Sequence, residues 1–230
     1  MATQIHTVAN ELRRRITTGI YAPGERLVEL QVSAELGVSR TPIRLAFEEL
    51  AREGLLKRLP TRGFRVNEFN ADELADAIDV RGVLEGMAAR LASERKLSEA
   101  DGEVLHRCVR EGQALIDAAA RDGFHIDAPR WMAMNALFHA TLVRAAHNSA
   151  LASAIAHVVK TPLAGAATLT LHGVAPRLEY TFIQRAQQDH EDLVKALVAG
   201  EGARAEALMR EHARRSRDNK RVLLTRDTGD

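Results

Sequence analysis

The metal chemistry open to this 230-residue chain is set by nine histidines and one cysteine. Cys108 stands alone, which excludes an internal disulfide framework and a thiolate-rich zinc site. A metal centre would have to be built from imidazoles, which suit Zn, Ni, Cu or Fe. Helical periodicity narrows the nine. Ile183, Ala186, His190, Leu193 and Leu197 share one helical face, and Ala205, Leu208 and His212 share another, with Met209 alongside. Asn135 and His139 are four apart, so on a helix they stack about 6 Å apart along the axis, next to Leu142. Three imidazoles and an amide oxygen are thus expected to point inward from three helices. They are either separate, hydrogen-bonded core histidines or, if they converge, a ligand set, because buried polar atoms need partners. Hydrolytic chemistry at such a centre would need a general base. Glu191 is the nearest carboxylate in sequence, but as the neighbour of His190 it faces another direction, and neither a nucleophile motif nor a Gly-rich phosphate loop accompanies it. An enzyme is not expected.

A second group of residues suits a polyanion. Ser39 is an N-cap candidate, with Pro42 in the first turn of the following helix, where its missing N–H costs nothing. That helix start carries Arg40, Thr41 and Arg44, and arginine offers paired donors to guanine edges and to phosphates. Arg62 and Arg65 flank Gly63, which would let backbone approach closely. The alternative is a well-capped helix start with solvated arginines. Net charge does not decide: the total is +1, and residues 1–69 differ only modestly from the rest. Clustering on one face is what marks a nucleic-acid site.

The elements that must position these residues change character near residue 69. Before it, Ile5, Val8, Leu12 and Ile16 mark one helix, Val28 to Leu36 a second ending at Gly37, and Ile43, Phe47 and Leu50 the stripe of a third. Leu55 to Leu59 and Phe64 to Phe69 read as two strands of a hairpin joined by Pro60-Thr61-Arg62-Gly63. After it, six helices are expected at about 72–95, 98–121, 127–146, 149–170, 176–199 and 202–224, with connectors short enough for antiparallel neighbours in a bundle. The expected class is mainly α: a winged helix-turn-helix over residues 1–69, then an antiparallel all-helical unit over 70–230. With 46% hydrophobic and 27% charged residues, the chain can bury a core. No stretch approaches the roughly 18 consecutive apolar residues of a membrane span, and Met1 to His6 lack the layout of a secretory signal. A cytoplasmic location and no membrane partner are expected.

Pro23-Gly24-Glu25-Arg26-Leu27, then Leu36-Gly37-Val38-Ser39-Arg40-Thr41-Pro42-Ile43-Arg44, Leu50-Ala51-Arg52-Glu53-Gly54-Leu55 and Arg62-Gly63 together resemble the GntR family of bacterial transcription regulators. The resemblance implies that Ser39, Arg40, Thr41 and Arg44 contact double-stranded operator DNA from a recognition helix, with Arg62 and Gly63 in the wing. Leu30 and Leu45 depart from the family, which usually has arginine and glutamate there. Further on, Asn135-Ala136-Leu137-Phe138-His139 with Asn148, Asp189-His190-Glu191-Asp192-Leu193 and Met209-Arg210-Glu211-His212 are similar to the FCD sensor domain of the FadR subfamily. That similarity implies a divalent transition metal, Zn, Ni or similar, held by His139, His190 and His212. The fourth ligand falls on Asn135, where metal-binding members have aspartate, so the site would be weaker and more positive. Asp79-Val80-Arg81-Gly82-Val83-Leu84-Glu85 resembles the first sensor helix, which implies that Arg81 anchors a small organic acid effector through paired N–H donors. The alternative for Arg81 is an ion pair with Glu85 at i+4. The whole resemblance implies a homodimeric, ligand-controlled regulator, most often a repressor, because two recognition helices read a near-palindromic operator. A metal-free pocket for the effector is the second form of the same reading.

Overall fold

The computed structural model describes residues 2–17, 19–52, 54–61, 63–67, 71–159, 164 and 176–226. Side chains at 2–4, 6, 17, 52, 71 and 222–226 are not described. Contacts divide the chain into two compact units that meet in sequence at Ala71 and Asp72. Residues 68–70, where the change of character is expected, lie outside the described residues, as does Arg62.

In the first unit, α1 (Ala2–Thr17), α2 (Glu29–Leu36) and α3 (Arg40–Arg52) pack with a three-stranded antiparallel sheet. Val8, Leu12 and Ile16 of α1 are buried, as are Ile43, Phe47 and Leu50 of α3, so the helical stripes expected from the sequence are the packed faces. Phe47 meets Phe64 with ring centroids 5.2 Å apart, tying α3 to the sheet. Gly37 ends α2 in the left-handed region, φ 64°, and its N–H bonds back to the Ser33 carbonyl. The hairpin is β2 (Leu56–Arg58) with β3 (Phe64–Val66), and a short β1 (Arg26–Leu27) completes the sheet in the order β1-β3-β2. β1 was not expected from the sequence. Two residues are too few for an alternating pattern, and its partner β3 is remote in sequence.

The second unit holds, among the described residues, α4 (Ala71–Glu94), α5 (Glu99–Arg121), α6 (Ala128–Ala145), α7 (Ser149–Val158), α8 (Pro176–Val198) and α9 (Gly202–Arg226). Side-chain caps set three of these starts: Ser98, Asp127 and Asn148 each accept a hydrogen bond from a backbone N–H in the first turn of α5, α6 and α7. Asn148 is thus a helix cap. The helix expected over 149–170 is described only to Val158; residues 160–163 and 165–170 lie outside the described residues. One apolar core joins Leu105, Leu115 and Ile116 of α5 to Trp131, Phe138 and Leu142 of α6, to Ile183, Leu193 and Leu197 of α8 and to Met209 of α9. α4 lies close along α9, where glycines permit the approach: a Cβ at Gly82 would sit 2.6 Å from the Ala213 Cβ, and one at Gly86 2.7 Å from the Arg210 Cγ. No helix among the described residues is long and apolar enough to cross a membrane.

Candidate metal centre and nucleic-acid interface

The second unit brings three histidines from three helices to one point. His139 on α6, His190 on α8 and His212 on α9 are 4%, 1% and 7% exposed, and each offers a nitrogen within 4.8 Å of the others. The helical period explains the convergence: His139 follows the core residue Phe138, and His190 and His212 lie on the same apolar faces as Leu193, Leu197 and Met209. His190 is held flat, stacked on Phe138 with centroids 4.1 Å apart and parallel to Trp131 within 10°. Both its ring nitrogens, and both of His139, are buried with no hydrogen-bond partner among the described residues. Leaving such a group unsatisfied costs roughly 1–3 kcal/mol, so the site contains a standing deficit that a ligated ion would remove.

Burial, followed by the neighbouring His212 and His139, pushes His190 well below the ordinary histidine value. His212 is lowered too, by burial, against the raising effect of Asp189. These two rings are neutral near pH 7, with lone pairs to offer. Tetrahedral zinc with Zn–N near 2.0–2.1 Å needs ligand nitrogens about 3.3 Å apart, so the three rings would have to draw in from their present separations of up to 4.8 Å. Asn135 sits one turn before His139 on α6, half-buried, with its side-chain oxygen buried. The residues present fit a transition metal bound through imidazole.

Two carboxylates stand against the outer sides of the rings. Glu85 Oε1 lies 3.2 Å from Nδ1 of His139, and Asp189 Oδ2 lies 3.4 Å from Nδ1 of His212. Burial alone would raise the Glu85 carboxyl, but His139 and Arg81 beside it bring it down to about 2. Asp189 is likewise lowered, His212 and Arg215 overcoming its burial. Neither stands out in the sequence as a histidine partner. Asp189 precedes His190 yet faces His212, and Glu85 lies far from His139 along the chain.

Arg81 is 1% exposed. Its Nε is 3.4 Å from Glu85 Oε2, and its Nη1 donates to the Ala164 carbonyl, so the i+4 ion pair weighed for it is present. The basic stretch after His212 is bound up within the same unit: Arg214 pairs with Glu211, Arg215 with Asp189 and Arg217 with Asp79. Lys220 is buried, and burial, with Arg81 nearby, sets its amine well below the usual lysine value.

In the first unit, α3 divides cleanly. Pro42, Ile43, Ala46 and Phe47 face the core, while Ser39, Arg40, Thr41, Arg44 and Leu45 are exposed. Arg40 reaches 3.8 Å from Glu29 at the start of α2, its side chain 66% exposed. The face therefore presents two guanidiniums, two hydroxyls and a leucine, and Leu30 of α2 is exposed as well. Gly63 has φ 105°, and a Cβ there would lie 2.9 Å from the Leu27 carbonyl oxygen. Any side chain at this position would be strained and would crowd β1, so the wing itself requires glycine here.

Residues 4–66 match the family model described as bacterial regulatory proteins, gntR family, and residues 76–215 match that of the FCD domain. A protein of Paenarthrobacter nicotinovorans named as a probable D-xylose utilization operon transcriptional repressor is 31% identical over 210 residues, covering 90% of this chain and 85% of its own. Among solved structures, E. coli McbR/YncC matches with a TM-score of 0.61 at 22% identity, covering 98% of this chain and 99% of that one. The structure of Lar, which controls expression of the Listeria monocytogenes agr system, matches with a TM-score of 0.63 at 17% identity, covering 95% and 96%. The last two are likenesses of fold. The family matches and the Paenarthrobacter relative carry the conclusion that the chain belongs to the gntR family of bacterial regulatory proteins, in its FCD-containing form, and is a DNA-binding transcriptional regulator rather than an enzyme.

Proposed function

We propose that this regulator is a repressor whose operator binding is controlled by a small carboxylate metabolite received at a metal centre in the second unit. The observation that supports it is the convergence of His139, His190 and His212, buried and with ligand nitrogens within 4.8 Å of one another. Those three residues would hold the metal, with Asn135 as an uncharged fourth donor. Once bound, the ion would serve as a Lewis acid for the carboxylate of the effector. Arg81 is the proposed anchor for that carboxylate, exchanging its contact with the Ala164 carbonyl for the effector while Glu85 stays beside it. The name of the Paenarthrobacter relative supports the repressive sense.

On the DNA side, Ser39, Arg40, Thr41 and Arg44 are the proposed contacts from α3, with Gly63 and Arg62 in the wing. Near-palindromic operators call for a homodimer, and the exposed valines of α4, Val80 and Val83, offer an apolar seam for one. Location in the cytoplasm belongs to the same proposal. An effector acts only if it binds one arrangement of the protein more tightly than the other.

Two measurements test the reading. Metal analysis of purified protein should find about one transition-metal ion per chain, lost in His139→Ala and His190→Ala; unchanged content in those variants rejects the centre. Titration of the DNA upstream of its own gene with Arg40→Ala and Arg44→Ala should show affinity lower by about 1–3 kcal/mol for each bidentate contact removed. Undiminished affinity would remove α3 from the interface.

A further inference from the structure

We propose that Glu85 and Asp189 are the anionic positioning residues of the metal centre, acting from behind His139 and His212 and supplying the negative charge that the amide of Asn135 withholds. This rests on the metal reading above and deepens it. Three neutral imidazoles and an amide would leave a divalent cation uncompensated in a buried site, which is costly. Each carboxylate is more buried than the histidine it faces, with side chains 3% and 5% exposed. Each faces Nδ1 of its ring, 3.2 Å away at His139 and 3.4 Å at His212. Each is held from its far side by an arginine, Glu85 by Arg81 at 3.4 Å and Asp189 by Arg215 at 2.6 Å.

Neither carboxylate is a direct ligand. Among the described residues, the group of His, Cys, Asp and Glu whose donors lie within 4.8 Å of one another contains the three histidines alone. A histidine that donates Nδ1–H to a carboxylate is locked into the tautomer whose lone pair is on Nε2, and that nitrogen becomes a better donor to a metal. At His139 the 3.2 Å contact is off the line of a hydrogen bond, and the proposal requires the ring to turn until Nδ1–H points at Glu85. Each carboxylate brings a negative charge to within one imidazole of the ion, with its paired arginine one group farther out.

The experiment is zinc titration by chelator competition on wild-type chain, Glu85→Gln and Asp189→Asn, with Asn135→Asp added to each. Each single variant should bind zinc about 10–100-fold more weakly at unchanged stoichiometry, and Asn135→Asp should restore much of the loss by returning a charge to the centre. Wild-type protein that takes up no zinc overturns the metal reading itself. Wild-type protein that binds, with both variants within about twofold of it, overturns the positioning role alone. Because Glu85→Gln leaves the buried Arg81 without its ionic partner, and Asp189→Asn leaves Arg215 with Glu211 alone, long-range 1H–15N NMR of the wild-type chain gives an independent result. Nδ1–H with bare Nε2 is expected at both His139 and His212, and Nε2–H at either ring contradicts the proposal there.

Discussion

At His190, two buried ring nitrogens lacking partners among the described residues sit between Phe138 and Trp131, an arrangement unfavourable for a residue with no ligand to hold. The deficit predicts a trade between stability and metal uptake. His190→Leu should abolish zinc binding, yet raise the melting temperature of metal-stripped protein by a few degrees, since about 1 kcal/mol corresponds to roughly 2–4 °C in a chain of this size. A fall of the size seen on truncating a core residue would mean that the imidazole is satisfied as it stands. Asn135→Asp makes the complementary case: one added carboxylate should strengthen zinc binding at least about tenfold, or ~1.4 kcal/mol, and weaker binding would place Asn135 outside the centre. The inward faces of His190 and His212 were legible because the 3.6-residue period puts them in line with Leu193 and Met209. Their carboxylate partners were not, because each contact joins two helices and depends on how those helices are packed.

For the elements, α4 and α9 form a close seam in the second unit, where Gly82 and Gly86 allow the backbones together and Arg90–Glu206 and Arg217–Asp79 bracket them at 3.0 and 2.7 Å. This seam fixes Arg81 and Glu85 opposite the helix that carries His212. Gly82→Ala gains about 1 kcal/mol of helix propensity, but its new Cβ would meet that of Ala213 at 2.6 Å, and neither can swing away. Overpacking of this kind costs about 1–3 kcal/mol, so the variant should unfold at lower urea concentration than wild type. A higher midpoint would show that the helices part without penalty. The six helices of this unit were readable from their period and short connectors, because both signals are local; the caps at Ser98, Asp127 and Asn148 came only with the structure. In the first unit the hairpin was readable for the same reason, and β1 was not, since only pairing with β3 makes Arg26 and Leu27 a strand.

Over the whole molecule, a GntR-type DNA-binding unit and a helical FCD unit share one chain, and the proposed control of operator binding requires that the two be coupled. Total charge conceals this division; the proposed DNA-reading face is the one on which Arg40 and Arg44 of α3 are exposed, and the proposed sensing centre is the one where three histidines are buried together. Such coupling between sites is typically worth about 1–3 kcal/mol, or roughly 5–150-fold in affinity. The most direct measurement is fluorescence anisotropy of a duplex from upstream of the gene, titrated with zinc-loaded and chelator-stripped protein, for wild type and for His190→Ala. Control through the three-histidine centre predicts that loading shifts the wild-type affinity at least about fivefold and leaves His190→Ala unmoved. Equal wild-type affinity in the two states, or the same shift in both proteins, would contradict it.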